Sequence, residues 1–392
     1  MARGWGYPAR KHLFHHVRVC PEEVEAWLSR PPESVRRMAP HIVNFELSDQ
    51  WTRRRGAPPF RWEDTESLLT RLISSLSSSP VQWLRIESFG ISGFSRATLE
   101  QCFEPISHSL RSLELGNLTA CPDATRYLIS LFPNLHNLHI GNVLPTSTQP
   151  PSEWVGCGIK HSPKLSGTLQ FFNAEGTDDS EFFASIASLS PGFRTISPGN
   201  ITGLNWSAVR RLMEACTETV ELVRLVWWQY ASMASSGDFF TLLTTTTVGP
   251  IPSGFLSPCI KLRKIGFTTW DVYRGTAIQT ALSSIISKHL STVTLELAHP
   301  DWSLSYTPEE FRQWWGGLED ALCHLTDQCL ANGQPPLVFE MVWWRPAGHK
   351  GGCGTTYPDT IMPKFREKGS ILFAESDLSS CDLCADILAE GP

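Results

Sequence analysis

The chain has 392 residues, 41% of them apolar and 18% charged, with a formal net charge of −6 and a pI near 6.1. That composition supplies enough apolar side chains for a sizeable core and excludes a disordered chain. The mild negative balance excludes a surface built mainly to neutralise phosphates, so neither nucleic acid nor an anionic membrane is expected as a partner.

The first residues, MARGWGYPARKHLFHHVRVC, are basic but lack the continuous apolar stretch of a secretion signal. No run approaches the roughly 18 to 20 apolar residues needed to cross a bilayer. Eleven cysteines are scattered without paired spacing, which predicts buried free thiols in a reducing, intracellular compartment, cytoplasm or nucleus. Three glycosylation sequons begin at Asn117, Asn200 and Asn205 and are read as chance matches.

Two strand-like phrases open the chain, HHVRVC and HIVNFELS. A helical stretch follows, DTESLLTRLISSL, with Leu68, Leu69, Leu72, Ile73 and Leu76 on one face. Next comes a phrase that recurs: VQWLRIES with Leu84 and Ile86, SLRSLELGN with Leu113 and Leu115, and NLHNLHIGN with Leu138 and Ile140. Looser copies carry Leu169/Phe171, Ile196, Val223/Leu225, Ile265/Phe267, Leu295/Leu297 and Phe339/Met341, and GSILFAES near the end is a further candidate. Through Leu225 the copies recur every 25 to 31 residues, and the later gaps are longer.

Amphipathic stretches lie between the copies, among them FSRATLEQCFEPI, PDATRYLISLF, SEFFASIASL, WSAVRRLMEAC and AIQTALSSIISKHL. Ser or Asp often precedes them, and Pro or Gly follows, as caps and stops require. One strand-plus-helix unit cannot bury its own apolar face, whereas stacked neighbours can. The expected fold is therefore an α/β leucine-rich-repeat-like solenoid, with a curved parallel sheet inside, helices outside, and irregular repeats. A doubly wound α/β domain explains the alternation but not the recurring phrase.

After Pro300 the pattern changes. TPEEFRQWWGGLEDALCHLTDQCLANG has a capping-box signature from Thr307 to Glu310 and then a long helical run; LVFEMVWW reads as a strand and SDLSSCDLCADILAEG as a short helix. The expected organisation is an N-terminal cap of strands over residues 1–60, the solenoid over 61–300, and an atypical C-terminal part of the same body over 301–392.

Candidate chemistry is sparse. Cys381 and Cys384 form a C-x-x-C that His349 and Cys353 would have to complete as a metal site; two apolar thiols in a short helix are the simpler reading. The glycine-rich GHKGGCG at 348–354 does not match a phosphate-binding loop and is read as a plain loop. His15 and His16 are expected on opposite sides of a strand, while His136 and His139 carry no catalytic signature. No catalytic residue, metal or cofactor is therefore assigned. The doublets Trp227–Trp228, Trp314–Trp315 and Trp343–Trp344 stand out; strand alternation puts one ring of each strand pair inside and one outside, and cover of both rings by the neighbouring layer or the C-terminal segment is the favoured alternative. The strand phase predicts a polar inner sheet face presenting Arg85, Glu87, Glu114, His139, Gln170, Arg224 and Glu296, a mixture that suits a protein partner better than nucleic acid and suits plain solvent exposure equally.

The phrases HLFHHVRVCPEEVEAWL, LTRLISSLSSSPVQWLRIES and HSLRSLELGNL…LISLFPNLHNLHIGN resemble the leucine-rich-repeat portion of fungal F-box proteins, over most of residues 12 to 300. The resemblance implies a non-enzymatic substrate receptor of a cullin-type ubiquitin ligase, in which the F-box docks to the adaptor and the repeats hold the substrate. No Leu-Pro-x-Glu-like phrase opens the first 60 residues; PPESVRRMAPHI is the nearest. The adaptor is therefore expected as a partner only where an F-box lies upstream of Met1. Two other readings stay open, a small-ligand binder or enzyme using the Trp-rich C-terminal part, and a decayed or truncated gene product.

Overall fold

The computed structural model describes residues 13–20, 23–47, 66–88, 90–141, 143, 154–172, 180–199, 205–227, 251–269, 275–297, 308–345 and 362–377. The 348–354 loop, His349, Cys353, Cys381, Cys384, Asn200, Trp228 and Thr307 lie outside the described residues, as do the side chains of Trp227, Trp314, Trp343 and Trp344. The chain forms two compact units, residues 1–174 with 181–193, and residues 175–180 with 194–392.

The first unit holds β1 (His16–Val19), α1 (Val24–Leu28), α2 (Pro32–Met38), β2 (Asn44–Leu47), α3 (Glu66–Ser74), β3 (Trp83–Glu87), α4 (Arg96–Phe103), β4 (Ser112–Gly116), α5 (Pro122–Ser130), β5 (Asn137–Gly141) and β6 (Thr168–Phe172), with α6 (Ser180–Ala187) from Glu181 onward. Strands β1 to β6 pair in chain order, each parallel to the next. The register stacks the repeated phrase on itself: Leu84, Leu113, Leu138 and Leu169 form one rung line, and Ile86, Leu115, Ile140 and Phe171 another. All eight are at most 1% exposed. The preceding anchors Val81, Leu110 and Leu135 are fully buried as well. Each such side chain contributes about 1.5–3 kcal/mol of apolar transfer, which the isolated repeat could not collect.

Helices cover the apolar strand face. The Trp27 ring of α1 meets Phe45 of β2 edge-on at 6.3 Å, and Phe183 of α6 lies 4.8 Å from Phe171 of β6. Local signals set the helix ends. Ser95 caps α4 by accepting from the Thr98 amide at 3.1 Å, and α5 starts at Pro122, where the missing N–H would have had no helical partner. After β3 and β4, Ser88 (φ 56°) and Asn117 (φ 47°) turn the chain through the left-handed region, at equivalent points of two successive repeats.

The second unit holds β7 (Thr195–Ser197), α7 (Trp206–Ala215), β8 (Leu222–Trp227), β9 (Lys264–Thr269), α8 (Gly275–Ser283), β10 (Thr292–Leu297), α9 (Pro308–Ala331), β11 (Val338–Arg345), α10 (Pro363–Lys368) and β12 (Ser370–Asp377). Its strands also pair parallel in chain order. Val223, Ile265, Val293, Phe339 and Ile371 make one rung line, and Leu225, Phe267, Leu295, Met341 and Phe373 the next. Here the structure corrects the sequence phase. In β10 the equivalents of Ile265/Phe267 are Val293/Leu295, not Leu295/Leu297, because VTLEL reads as two overlapping copies of the motif and only ladder pairing chooses between them. The phrases HVRV, NFEL and SILFAES are further strands of the same kind.

The 24-residue α9 buries Trp315, Leu318, Leu322, Leu325 and Cys329. The chain is thus an α/β, leucine-rich-repeat-like fold, with parallel strands and helices on their apolar side. Among the described residues, Cys20, Cys102, Cys121, Cys157, Cys216, Cys259, Cys323 and Cys329 are free thiols, and no helix is long and apolar enough to cross a membrane.

Candidate functional site

The face of the first unit's sheet turned away from the helices is built by strand alternation: where Leu84 and Ile86 point into the core, Trp83, Arg85 and Glu87 must point the other way. Parallel register then lines up one residue from each strand. Arg18, Glu46, Arg85, Glu114, His139 and Gln170 occupy successive positions of one row across β1 to β6. The charges alternate along the first four members, and at about 4.8 Å per strand the row spans roughly 24 Å.

The members are coupled. One oxygen of Glu46, which is 7% exposed, lies 3.5 Å from Arg18 Nε and 4.0 Å from Arg85 Nε, and His16 Nε2 lies 3.2 Å from the other oxygen. Arg85 Nη2 donates to Glu87 Oε1 at 2.6 Å, and Arg85 Nη1 lies 4.0 Å from Glu114 Oε2. The indole of Trp83 donates to Glu114 Oε1 at 2.9 Å, and the His16 ring lies 5.5 Å from that indole. His139 Nδ1 sits 4.0 Å from Glu114 Oε1.

These contacts shift the titration of Arg85 and Glu114. Burial works against the Arg85 charge, but Glu87, Glu114 and Glu46 outweigh it and hold the guanidinium above its ordinary pKa. Burial likewise opposes ionised Glu114; His139, the Trp83 N–H and Arg85 more than offset it, so this carboxyl titrates below its usual range. Gly116 sits opposite Glu87 on the next strand, where a Cβ would come within 3.2 Å of Glu87 Cγ, so the glycine leaves room for the buried carboxylate.

Of the residues expected on this face, Arg85, Glu87, Glu114, His139 and Gln170 come together in the first unit, with Glu87 two residues beyond the row. Arg224 and Glu296 lie in the second unit. There the row equivalent to Arg224 runs through Gly266, Thr294 and Glu340, while Glu296 belongs two positions further along, beside Thr268, whose hydroxyl donates to it at 2.9 Å. Glu296 thus lies on the same face, two positions beyond that row. Glu340 stands in the row itself; it accepts from Lys264 Nζ at 2.7 Å and Thr294 Oγ1 at 2.8 Å, and the lysine holds its pKa down.

Sequence reasoning passed over Arg18, Glu46 and Glu340, although each stands between the two apolar residues of a strand phrase, in HVRV, NFEL and VFEM. It also treated Trp83 only as a neighbour of the motif. His15 and His16 are both exposed, and only His16 joins the cluster. Asn205 is fully buried. Among the described residues, no group of three or more His, Cys, Asp or Glu converges in a way that could hold a metal ion.

No family model matches the chain. No curated protein matches it either. Among solved structures it is similar to the crystal structure of the Rad7 and Elc1 complex in yeast, with a TM-score of 0.33 and 13% identity over 79% of this chain and 66% of that one. The chain thus spans just under two thirds of that neighbour's length, and a likeness this weak carries no functional argument.

Proposed function

We propose that the chain is a non-enzymatic protein-interaction module whose first unit presents the row from Arg18 to Gln170 to a protein partner. The observation that supports this reading is the in-register alternation of charge along the row, half-buried among aromatic groups and fixed by ladder pairing. Such a row offers a pattern of sign and spacing that an extended complementary surface can match, and electrostatic complementarity of this kind selects partners. A reaction centre would instead need titratable groups turned toward a bound substrate; here they pair with one another along the row.

Affinity capture from native extract with the folded chain tests the reading. Glu114→Lys inverts the sign at one position of the row and His139→Glu places a carboxylate at the next, and a partner that reads the row should be lost, while circular dichroism stays unchanged. Capture of the same partners by wild type and the inverted variant would refute it.

The finer reading, substrate receptor of an F-box-type ubiquitin ligase, rests on the resemblance in layout of the repeats. Co-capture of a cullin-ligase adaptor together with the row-dependent partner supports it; a row-dependent partner with no adaptor in the longest native form of the protein argues against it.

A further inference from the structure

The residues just before β3, β4 and β5 occupy equivalent positions, and their side chains meet in a groove that the interaction row does not use. Gln82, Arg111 and His136 immediately precede these strands, on adjacent rungs about 4.8 Å apart. Together with His108, Asn134 and Lys164 they line a groove of about 390 Å³; the rest of the lining is uncharged. The groove therefore holds two fixed cations and two imidazoles and no carboxylate.

In this unit Arg85 bonds Glu87 at 2.6 Å, Arg126 bonds Asp123 at 2.9 Å and Lys160 bonds Glu100 at 2.5 Å. Among the described residues, no carboxylate lies within ion-pair distance of Arg111 or Lys164. The groove is also framed by fixed groups: Asn134 Nδ2 donates to the His108 carbonyl at 2.8 Å, and His136 Nδ1 bonds Ser166 Oγ at 2.7 Å. The backbone amides of Arg111 and His136 are held in the sheet by the Gln82 and Arg111 carbonyls at 2.8 Å each. Two exposed cations with no carboxylate partner among the described residues, set in this frame, match one compact polyanionic group, because Arg engages phosphate with two parallel N–H bonds and Lys adds a point charge. No Trp, Tyr or Phe lines the groove to stack a base, and no apolar floor receives an acyl chain, which disfavours nucleic acid and lipid.

We propose that this groove is the receptor for a phosphorylated side chain on a protein partner. The proposal rests on the protein-binding reading above and names the chemistry that reading leaves open: Arg111 and Lys164 carry the charge recognition, with Gln82 and His136 as flanking donors.

Calorimetric titration of the full chain with phenyl phosphate, and with a neutral phosphoserine peptide beside its unphosphorylated twin, tests this. Phenyl phosphate and the phosphopeptide should bind with Kd roughly millimolar or tighter, the twin should show no heat, and Arg111→Gln with Lys164→Gln should weaken binding at least about tenfold. Both substitutions fall at exposed positions, so circular dichroism should be unchanged. His139→Glu, which belongs to the row, should leave phosphate binding intact. The proposal is overturned by absence of phosphopeptide binding, by equal binding to the double variant, by complete loss when sodium chloride merely matches the ionic strength, or by tighter binding of anionic vesicles or single-stranded DNA than of the phosphopeptide. Failure of row-dependent capture with a positive phosphopeptide titration would count against the row alone, and the reverse result against the groove alone.

Discussion

Replacing Arg85 by Met removes the central cation of the row and leaves Glu46, Glu87 and Glu114 facing one another. The penalty concentrates at Glu87, which is 2% exposed and bonded to Arg85 at 2.6 Å, whereas Glu46 and Glu114 each lie 4.0 Å away. Removing one partner of a fully buried ion pair costs about 3–5 kcal/mol. The Arg85 side chain is 26% exposed, so water partly replaces it, and we expect a loss of about 2–4 kcal/mol. Adding Glu87→Gln to Arg85→Met should return roughly half of the loss, giving a coupling of about 1–2 kcal/mol in a double-mutant cycle. The loss should also depend on pH. Arg85 is one of the groups that hold the Glu114 carboxyl below its ordinary range, so Arg85→Met removes stabilisation that is present above the unfolded carboxylate pKa and lost below it, and the difference from wild type should shrink between about pH 7 and pH 4. Urea unfolding followed by far-UV circular dichroism at both pH values reads these quantities. A loss below about 0.5 kcal/mol, or one identical at the two pH values, would refute the view that Arg85 neutralises this cluster.

Leu113→Ala, at a position 1% exposed between Leu84 and Leu138, should cost about 3 kcal/mol and lower Tm by roughly 6–12 °C, whereas Leu372→Ala, at 53% exposure, should change stability by less than about 0.5 kcal/mol. Equal effects from the two would contradict the assignment of strand faces. The lowered pKa values of Glu114 and Glu340 stabilise the fold above the ordinary carboxylate range and cease to do so as pH falls through the depressed values; the urea midpoint should hold near pH 5 to 7 and drop below about pH 4, and a midpoint that rises on acidification would be the contrary result. Burial pushes the Cys102 and Cys259 thiols up to about 12, so in the native protein at pH 8 both should resist iodoacetamide and react only on unfolding; modification as fast as that of half-buried Cys20, seen by peptide mass spectrometry, would contradict the core placement.

The sequence by itself determined the kind of fold and the two faces of each strand. A Leu-x-Leu phrase with amphipathic stretches between its copies is stable only when stacked, and period-two alternation assigns Arg85, Glu114, His139, Gln170 and Arg224 to the polar face before any coordinates are known. The same rule applied to HVRV, NFEL and VFEM would have reached Arg18, Glu46 and Glu340. The tertiary structure decided which residues share a rung. An alternating pattern is unchanged by a shift of two residues, so VTLEL was ambiguous, and only hydrogen bonding to β9 and β11 placed Thr294 between Gly266 and Glu340, with Glu296 two positions beyond. Tertiary structure also decided which cations are neutralised. Arg85 and Arg111 look alike in sequence, yet pairing strands about 4.8 Å apart sets one among three carboxylates and the other at the edge of a groove with none, because charge environment depends on neighbours brought close in space from distant points of the chain.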